Sequence, residues 1–244
     1  MASPQPLWEN GPRLKQVPGV FPMGTDSILL ADFSAPAPRD RILDLGTGSG
    51  ILPLLLLYDR AGVRATALEL DANACALARK NLEANGLGQR STVIQGDLRA
   101  YREILAPGAF DLTVSNPPYF SAGSGRRAGA GMEHARSDET CSLTELCEAA
   151  AWATRWGGRF TLVFRPERLC DLLDALRRTG FEPKRLCPVH HTQTAPVNLI
   201  LLDARRGGKP GLTWENDLYL YHPDGTETPA LRRIYRREGK ETSL

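Results

Sequence analysis

No stretch of these 244 residues is long and apolar enough to span a bilayer, since the longest apolar run, residues 51–58, is short and interrupted by Pro53. The opening Met1-Ala2-Ser3-Pro4 has neither a basic n-region nor an apolar h-region, so a soluble, cytoplasmic protein is expected. The cysteines, Cys75, Cys141, Cys147, Cys170 and Cys187, are odd in number and scattered, without a CxxC pair or histidines at zinc spacing. They read as reduced packing residues, and no metal site is expected. An excess of one charge is also missing. Thirty Lys and Arg against 28 Asp and Glu leave a net charge of +2, so any nucleic acid partner must be met by a local basic patch. Repeats and low-complexity tracts are absent. What remains is globular in composition, 42% hydrophobic and 24% charged, and sufficient for one main domain with additions.

The clearest local signal is a strand, a glycine-rich turn and a helix in direct succession. Arg41-Ile42-Leu43-Asp44-Leu45 is a compact apolar strand, Gly46-Thr47-Gly48-Ser49-Gly50 follows it, and a helical run over residues 51–60 comes next. Glycines there allow a tight turn and close approach of a ligand, and the free N–H groups of a helix start favour a polar or anionic group. An ordinary tight turn is the plain alternative. Weighing against it, Glu69 ends the next strand at the spacing a βαβ unit requires, where a carboxylate can accept from two ribose hydroxyls. The pattern Asp44-x-Gly-x-Gly-x-Gly is not the GxGxxG of dinucleotide folds. A helix over 71–85 closes on Asn85-Gly86, and the strand 91–95 ends at Gly96-Asp97-Leu98. Asp97 lies at the same rim as Glu69, as an acceptor for an adenine amine or as a simple cap of the following turn.

The second signal is Ser115-Asn116-Pro117-Pro118-Tyr119-Phe120, after the apolar run 110–114. Two consecutive prolines cannot continue a strand ladder, so the chain leaves the sheet there. An amide and then an aromatic ring follow the strand end, where open parallel sheets hold their ligands and a planar substrate can be gripped. Beyond it, residues 121–136 carry repeated glycines with Arg126, Arg127, His134 and Arg136, which fits a phosphate-contacting loop or a plain solvated one.

Three domains' worth of signal is not present, but three regions are. Residues 1–22 read as an irregular arm with one short hairpin, 23–204 as the main domain, and 205–244 as a C-terminal hairpin and a basic helix packed on it. Thr25 or Asp26 is a candidate cap of a short helix. A helix over 143–156 is expected to end at Gly157-Gly158, a strand over 159–164 follows, and a further helix opens at Pro166. Strands near 184–188 and 198–204 come in succession without a helix between them, which points to an antiparallel pair at a sheet edge. His190 and His191 lie between them and read as loop residues. The run 231–237, with Arg232, Arg233, Arg236 and Arg237, is a basic helix, solvated or facing RNA.

Asp44 to Gly50, Glu69, Asp97 and Asn116-Pro117-Pro118-Tyr119 together resemble the class I methyltransferases that use S-adenosylmethionine (SAM) to methylate planar nitrogens, over about residues 22–204. That resemblance implies a Rossmann-like α/β fold, a seven-stranded mostly parallel sheet with a C-terminal antiparallel hairpin. It implies SAM as cofactor, with Asp44, Gly46, Thr47, Gly48, Gly50, Glu69, Asp97 and Leu98 as its contacts. Residues 21–31, with Gly24-Thr25-Asp26, and Ala135-Arg136-Ser137-Asp138-Glu139 more narrowly resemble the bacterial adenine-N6 methyltransferases of valine tRNA. This adds Thr25 and Asp26 near the methionine part of SAM. Asn116, Pro117, Pro118 and Tyr119 are then the catalytic segment: the Asn116 and Pro117 carbonyls accept from an exocyclic amine, and Tyr119 and Phe120 stack on its ring. The implied partner is RNA, a tRNA in particular, bound with help from Arg126, Arg127, His134 and Arg136, by a monomer or homodimer. Rival substrates are a guanine amine of ribosomal RNA and a glutamine amide of release factors, and a SAM-binding RNA chaperone is the non-enzymatic alternative. Glutamine methyltransferases of release factors carry a helical substrate domain ahead of this fold, and the roughly forty largely irregular residues before Asp44 are not expected to form one.

Overall fold

Apolar strand runs alternating with helical stretches build an open α/β sheet in this computed structural model, which describes residues 4–20, 22–117 and 141–236. The arm forms a small antiparallel hairpin of β1 (Gln5–Pro6) and β2 (Arg13–Leu14). Helix α1 (Thr25–Ser34) then leads to β3 (Arg41–Leu45), α2 (Ile51–Leu57), β4 (Arg64–Glu69), α3 (Ala72–Ala84), β5 (Ser91–Gln95), α4 (Tyr101–Ile104) and β6 (Phe110–Ser115). The second half contains α5 (Leu143–Ala153), β7 (Thr154–Phe164), α6 (Leu169–Arg178), β8 (Phe181–His190) and β9 (Val197–Arg206). Short β10 (Thr213–Trp214), β11 (Leu218–Tyr219) and α7 (Pro229–Ile234) follow.

The seven long strands run in the order β8-β9-β7-β6-β3-β4-β5, parallel except for β9, which pairs antiparallel with both β7 and β8. This is the mostly parallel sheet with a terminal antiparallel hairpin that the tandem strands predict. Two-residue strands β10 and β11 add to β8 in parallel. The expected hairpin at 217–225 is therefore different: Leu218–Tyr219 continues the sheet edge, and only a single antiparallel bridge, Tyr221 to Glu227, closes the turn.

Alternation along the strands divides the core between the two faces, because successive strand side chains point to opposite sides. Ile42, Leu112, Val114, Val163, Leu199 and Leu201 pack with α1 and α2 on one face. Leu43, Leu45, Phe160, Leu162, Phe164 and Leu202 pack with α5 and α6 on the other. Each fully buried leucine contributes on the order of 1.5–3 kcal/mol. Helix α2 has every residue buried and ends at Leu57, earlier than expected, where the Arg90 guanidinium takes the free carbonyls of Leu57 and Arg60.

The boundary between α5 and β7 also differs from the sequence expectation. Helix α5 starts on a Ser142–Glu145 capping box but ends at Ala153, and Gly157-Gly158 lie inside the strand at a break in register opposite Phe110 and Leu112. A bulge, rather than a helix stop, uses these glycines. A side chain on Gly158 would meet Thr154 Cγ2 at 2.7 Å and the Arg155 and Asp111 carbonyls at 2.9 and 3.0 Å.

Helix α1 is held at both ends. The Arg159 guanidinium donates to the Ser34 carbonyl at 2.8 Å and to Ala35 at 3.2 Å, and the Tyr235 hydroxyl donates to Thr25 Oγ1 at 3.1 Å. In the basic C-terminal run, Arg233 lies 4.0 Å from Asp32, and Arg236 pairs with Asp59 and sits over the Trp8 ring. These cations are engaged with the body of the protein.

Two asparagines four residues apart on α3 serve as a substitute strand for the arm. Asn85 exchanges two hydrogen bonds with the Arg13 backbone, each at 2.8 Å, and Asn81 does the same with Lys15 at 2.9 and 3.1 Å. Asn81 is 2% exposed, and its amide also donates to the Ser49 carbonyl at 2.9 Å, so the arm is tied directly to the turn after β3. Losing a satisfied buried amide costs about 1–3 kcal/mol. Asn81→Ala is expected to lower the unfolding free energy by about that amount in urea titration and to open the peptide bonds after Arg13 and Lys15 to trypsin. Unchanged values in both assays would show that the arm is held by other contacts.

Candidate functional site

The register of the sheet brings the residues singled out by sequence to one rim. Asp44 pairs with Val114, Leu45 with Leu68, and Glu69 with Gln95, so the segments beginning at Asn116, Gly46, Leu70 and Gly96 leave the carboxyl ends of β6, β3, β4 and β5 side by side. Strand order reverses between β3 and β6, and such a switch point opens the crevice in which α/β sheets hold ligands. Ser115 strengthens the junction: its hydroxyl donates to the Leu45 carbonyl at 2.8 Å.

The turn after β3 is fixed by main-chain bonds. Gly46 and Thr47 N–H both donate to the Leu68 carbonyl, at 2.9 and 3.1 Å. The Glu69 carboxylate accepts from Gly48 N–H at 2.8 Å and, through its other oxygen, from Leu70 and Asp71 N–H at 2.9 and 3.0 Å. Three donors leave Glu69 with acceptor capacity for a hydroxyl, and two hydroxyls bound together would share the oxygen now serving Gly48.

The three glycines divide between two tasks. Side chains added at Gly46 or Gly48 would meet nothing within 4 Å, so these faces are open to a ligand. Gly50 points inward instead: at φ +81° its missing side chain would sit 3.0 Å from Ala78 Cβ on α3 and 3.1 Å from Ala78 Cα, and only glycine fits both constraints. Gly50 thus sets the approach of α2 to α3.

Below the open glycines lies a group of unpartnered acceptors. Asp44 is fully buried, and neither of its carboxylate oxygens nor Thr47 Oγ1 has a hydrogen-bond partner among the described residues. Burial pushes the Asp44 carboxyl up from 3.8 to about 7; the Thr47 hydroxyl nearby opposes this without completing a bond, and the Glu69 charge adds to it. A phosphate placed here would meet two carboxylates. A cationic ligand would relieve them, so the donor set fits SAM, which carries a sulfonium and an ammonium, and does not fit a pyrophosphate.

Asp97 and Leu98 begin a short turn beyond β5. Asp97 caps that turn through Arg99 N–H at 2.8 Å and pairs with the Arg99 guanidinium at 2.6 Å, and these bonds hold its carboxyl below the usual range. An adenine amine would compete with Arg99 for this acceptor. Leu98 is half-buried against the core beneath it. Thr25 and Asp26 occupy the first turn of α1, but the N-cap is Gly24 and no side chain caps it, so neither residue takes the capping role expected from sequence.

Asn116 and the buried Pro117 leave β6 beside the glycine turn. Asn116 Nδ2 donates to the hydroxyl of Ser27 on α1 at 3.0 Å, turning the amide carbonyl away from that bond. Pro118, Tyr119, Phe120, Arg126, Arg127, His134 and Arg136 lie outside the described residues. Sequence reasoning did not single out Ser27, Asn81 or Tyr235. Ser27 and Tyr235 act on partners 89 and 210 residues away, and nothing local in the sequence signals such a partner.

Comparison with known proteins places the chain in a family. Residues 13–173 match the family model of the methyltransferase small domain. The chain belongs to the methyltransferase small domain family. A Tolumonas auensis protein named tRNA1(Val) (adenine(37)-N6)-methyltransferase is 36% identical over 85% of this chain and 85% of its own length. A Dickeya chrysanthemi protein of the same name is 34% identical over 77% and 74%. A solved structure described as a predicted O-methyltransferase of Agrobacterium tumefaciens superimposes with a TM-score of 0.72 at 21% identity, covering 86% of this chain and 95% of that one, a likeness of fold. The chain is a methyltransferase, and its fold is of the Rossmann-like type. Among the described residues no helix is long and apolar enough to cross a membrane, and no group of three His, Cys, Asp or Glu side chains is placed to hold a metal.

Asp44 gives a test of the cradle that requires no substrate. Its folded value of about 7 lies above the ordinary 3.8, so the folded chain binds the proton more tightly than the unfolded chain. Stability contributed by the protonated form is present below about 4 and is lost as the pH rises to about 7. In urea titrations from pH 4.5 to 8 without cofactor, Asp44→Asn is expected to gain stability over the parent as pH rises. A difference that stays constant with pH would contradict the buried, unpartnered carboxyl.

Proposed function

We propose that this methyltransferase acts on the exocyclic N6 amine of an adenine in RNA, and specifically on an anticodon-loop adenine of a tRNA. The observation that carries the reading is the position of Asn116, which emerges from β6 beside the open glycine turn with one amide N–H committed to Ser27 and its carbonyl without a hydrogen bond among the described residues. The names of the Tolumonas and Dickeya relatives support the choice of amine and of RNA.

Gly46, Gly48, Asp44, Thr47 and Glu69 would hold SAM, with Thr25, Asp26, Asp97 and Leu98 around it. When bound, SAM supplies a methyl group made electrophilic by its sulfonium. The chain's own residues act on the acceptor. An adenine amine is a weak nucleophile because its lone pair is delocalised into the ring. Hydrogen bonds from its two N–H groups to the Asn116 side-chain carbonyl and the Pro117 backbone carbonyl orient the nitrogen and stabilise the positive charge that develops on it. Tyr119 and Phe120 stack on the base, worth on the order of 1–3 kcal/mol. An amide is suited to this work because it accepts without carrying a charge that attracts metals. The alkylated amine is acidic enough to lose its proton to water, so no strong base is required.

A single-stranded loop exposes the base at least unstacking cost, and an anticodon loop meets that condition. Arg126, Arg127, His134 and Arg136 are proposed contacts to its phosphates, in a protein proposed to work in the cytoplasm as a monomer or homodimer. Incubation with labelled SAM and, separately, tRNA, ribosomal RNA and release factor tests the assignment. Nucleoside analysis is expected to find N6-methyladenosine in tRNA alone; methylguanosine from ribosomal RNA or label on release factor would replace the reading. Asn116→Ala is expected to reduce transfer by at least ~100-fold, the scale of losing one preorganised transition-state contact, while affinity for S-adenosylhomocysteine is retained. Transfer at the parent rate in that variant would remove Asn116 from the mechanism.

A further inference from the structure

Asn116 can do its work only if its amide faces the right way. The carbonyl and NH2 ends of the side chain are nearly equal in shape, and the torsion that exchanges them is soft. With the carbonyl toward the substrate, acceptor meets amine N–H. Turned over, the NH2 end would meet another donor and the contact would be repulsive. The contact at the opposite end fixes where the amide lies; a hydroxyl there can donate as well as accept, so the N–H that the substrate brings to the free end sets which way the amide faces.

In this chain that contact is Ser27. Its hydroxyl lies 3.0 Å from Asn116 Nδ2, and the residue is 4% exposed, so the bond is closed to water on the Ser27 side while Asn116 stays half-buried. Ser27 sits on a helix that has little freedom to move. Tyr235 holds the first turn through Thr25, and Arg159 holds the last carbonyls through Ser34 and Ala35. The strand that carries Asn116 is equally fixed, since Ser115 bonds the Leu45 carbonyl at 2.8 Å. Two rigid elements thus meet at one hydrogen bond, and that bond is one residue past the end of β6 at the mouth of the crevice.

We infer that Ser27 is a positioning residue for methyl transfer: its hydroxyl anchors the Asn116 amide against α1, 3.0 Å from Nδ2, so that the carbonyl end is held at the mouth of the crevice where the incoming amine would meet it. This rests on Asn116 being the amine acceptor. Ser27 touches neither substrate nor cofactor in this role. Its loss should lower the turnover of bound substrate and leave the binding of both partners nearly unchanged.

The test compares Ser27→Ala, Ser27→Cys and Ser27→Thr with the parent and with Asn116→Ala, using tRNA and saturating SAM. Ser27→Ala and Ser27→Cys are expected to lower kcat about 10-fold, the scale of one shielded hydrogen bond. KM for tRNA and the Kd for S-adenosylhomocysteine should stay within about twofold of the parent in both variants. The thiol of Ser27→Cys is somewhat larger than the hydroxyl and a poor acceptor, and Ser27→Ala is smaller and accepts nothing, so a loss common to both that Ser27→Thr does not share separates hydrogen bonding from packing. Ser27→Thr keeps the hydroxyl and should restore kcat to within about threefold. Equal loss in all three variants would mean that packing, and not the hydroxyl, matters, and would overturn the inference. Parent-like kcat in Ser27→Ala and Ser27→Cys, with Asn116→Ala inactive, would overturn it while leaving the clamp in place. Parent-like transfer in Asn116→Ala would remove the clamp itself. A readout without RNA uses the side-chain NH2 signal that disappears from the 15N spectrum in Asn116→Ala. That signal should be protected from solvent exchange in the parent and lose protection in Ser27→Ala, and equal exchange in both would also overturn the inference.

Discussion

The hydrogen bond from Gly48 N–H to the Glu69 carboxylate joins the two halves of the cradle, and most of the site depends on it. It closes the loop after β3 onto the end of β4, and the second Glu69 oxygen secures the start of the following turn through Leu70 and Asp71. With the loop held there, Gly46 and Gly48 present bare backbone to the crevice and Gly50 packs against Ala78. Asp44 is left beneath, buried and without a hydrogen-bond partner among the described residues. A shared carboxylate of this kind costs little while it is hydrogen-bonded by backbone donors. It also explains why an acidic residue at this point is informative beyond its possible contact with a ribose.

Charge is distributed to suit a cation at the centre. Asp44 and Glu69 raise the negative potential at the cradle, and no arginine among the described residues is paired with either of them. Arg233 and Arg236 of the C-terminal run serve the body of the fold, through Asp32, Asp59 and the Trp8 ring. A tRNA would meet other cations, and the arginines after Tyr119 are the proposed source. On the proposed reading this division would separate cofactor recognition, which needs acceptors, from RNA recognition, which needs donors and positive charge.

The sequence was informative where the physics is local. Arg41–Leu45, the glycine turn and Glu69 are legible because a strand, a tight turn and a helix each leave a short pattern, and their spacing fixes a βαβ unit. The antiparallel pair of β8 and β9 followed from two strands without a helix between them. Boundaries decided by tertiary contacts were less legible. Helix α2 stops where Arg90 reaches its carbonyls from 33 residues away, and Gly157-Gly158 serve a bulge set by the neighbouring strand rather than a helix stop. The place of Asp97 at the rim is legible in the sequence, while its pairing with Arg99 depends on the turn it caps. Ser27 was hidden for a stronger reason: a buried serine in an apolar helix acquires meaning only when the fold brings Asn116 to it.

Calorimetric titration with S-adenosylhomocysteine, on the parent chain and on Glu69→Gln, tests most directly that the carboxylate-held loop is the cofactor cradle. The account predicts one site per chain in the parent and a loss of affinity of roughly 10-fold or more in Glu69→Gln, as expected when a charge-assisted hydrogen bond is removed. Equal affinity for the two proteins would contradict it.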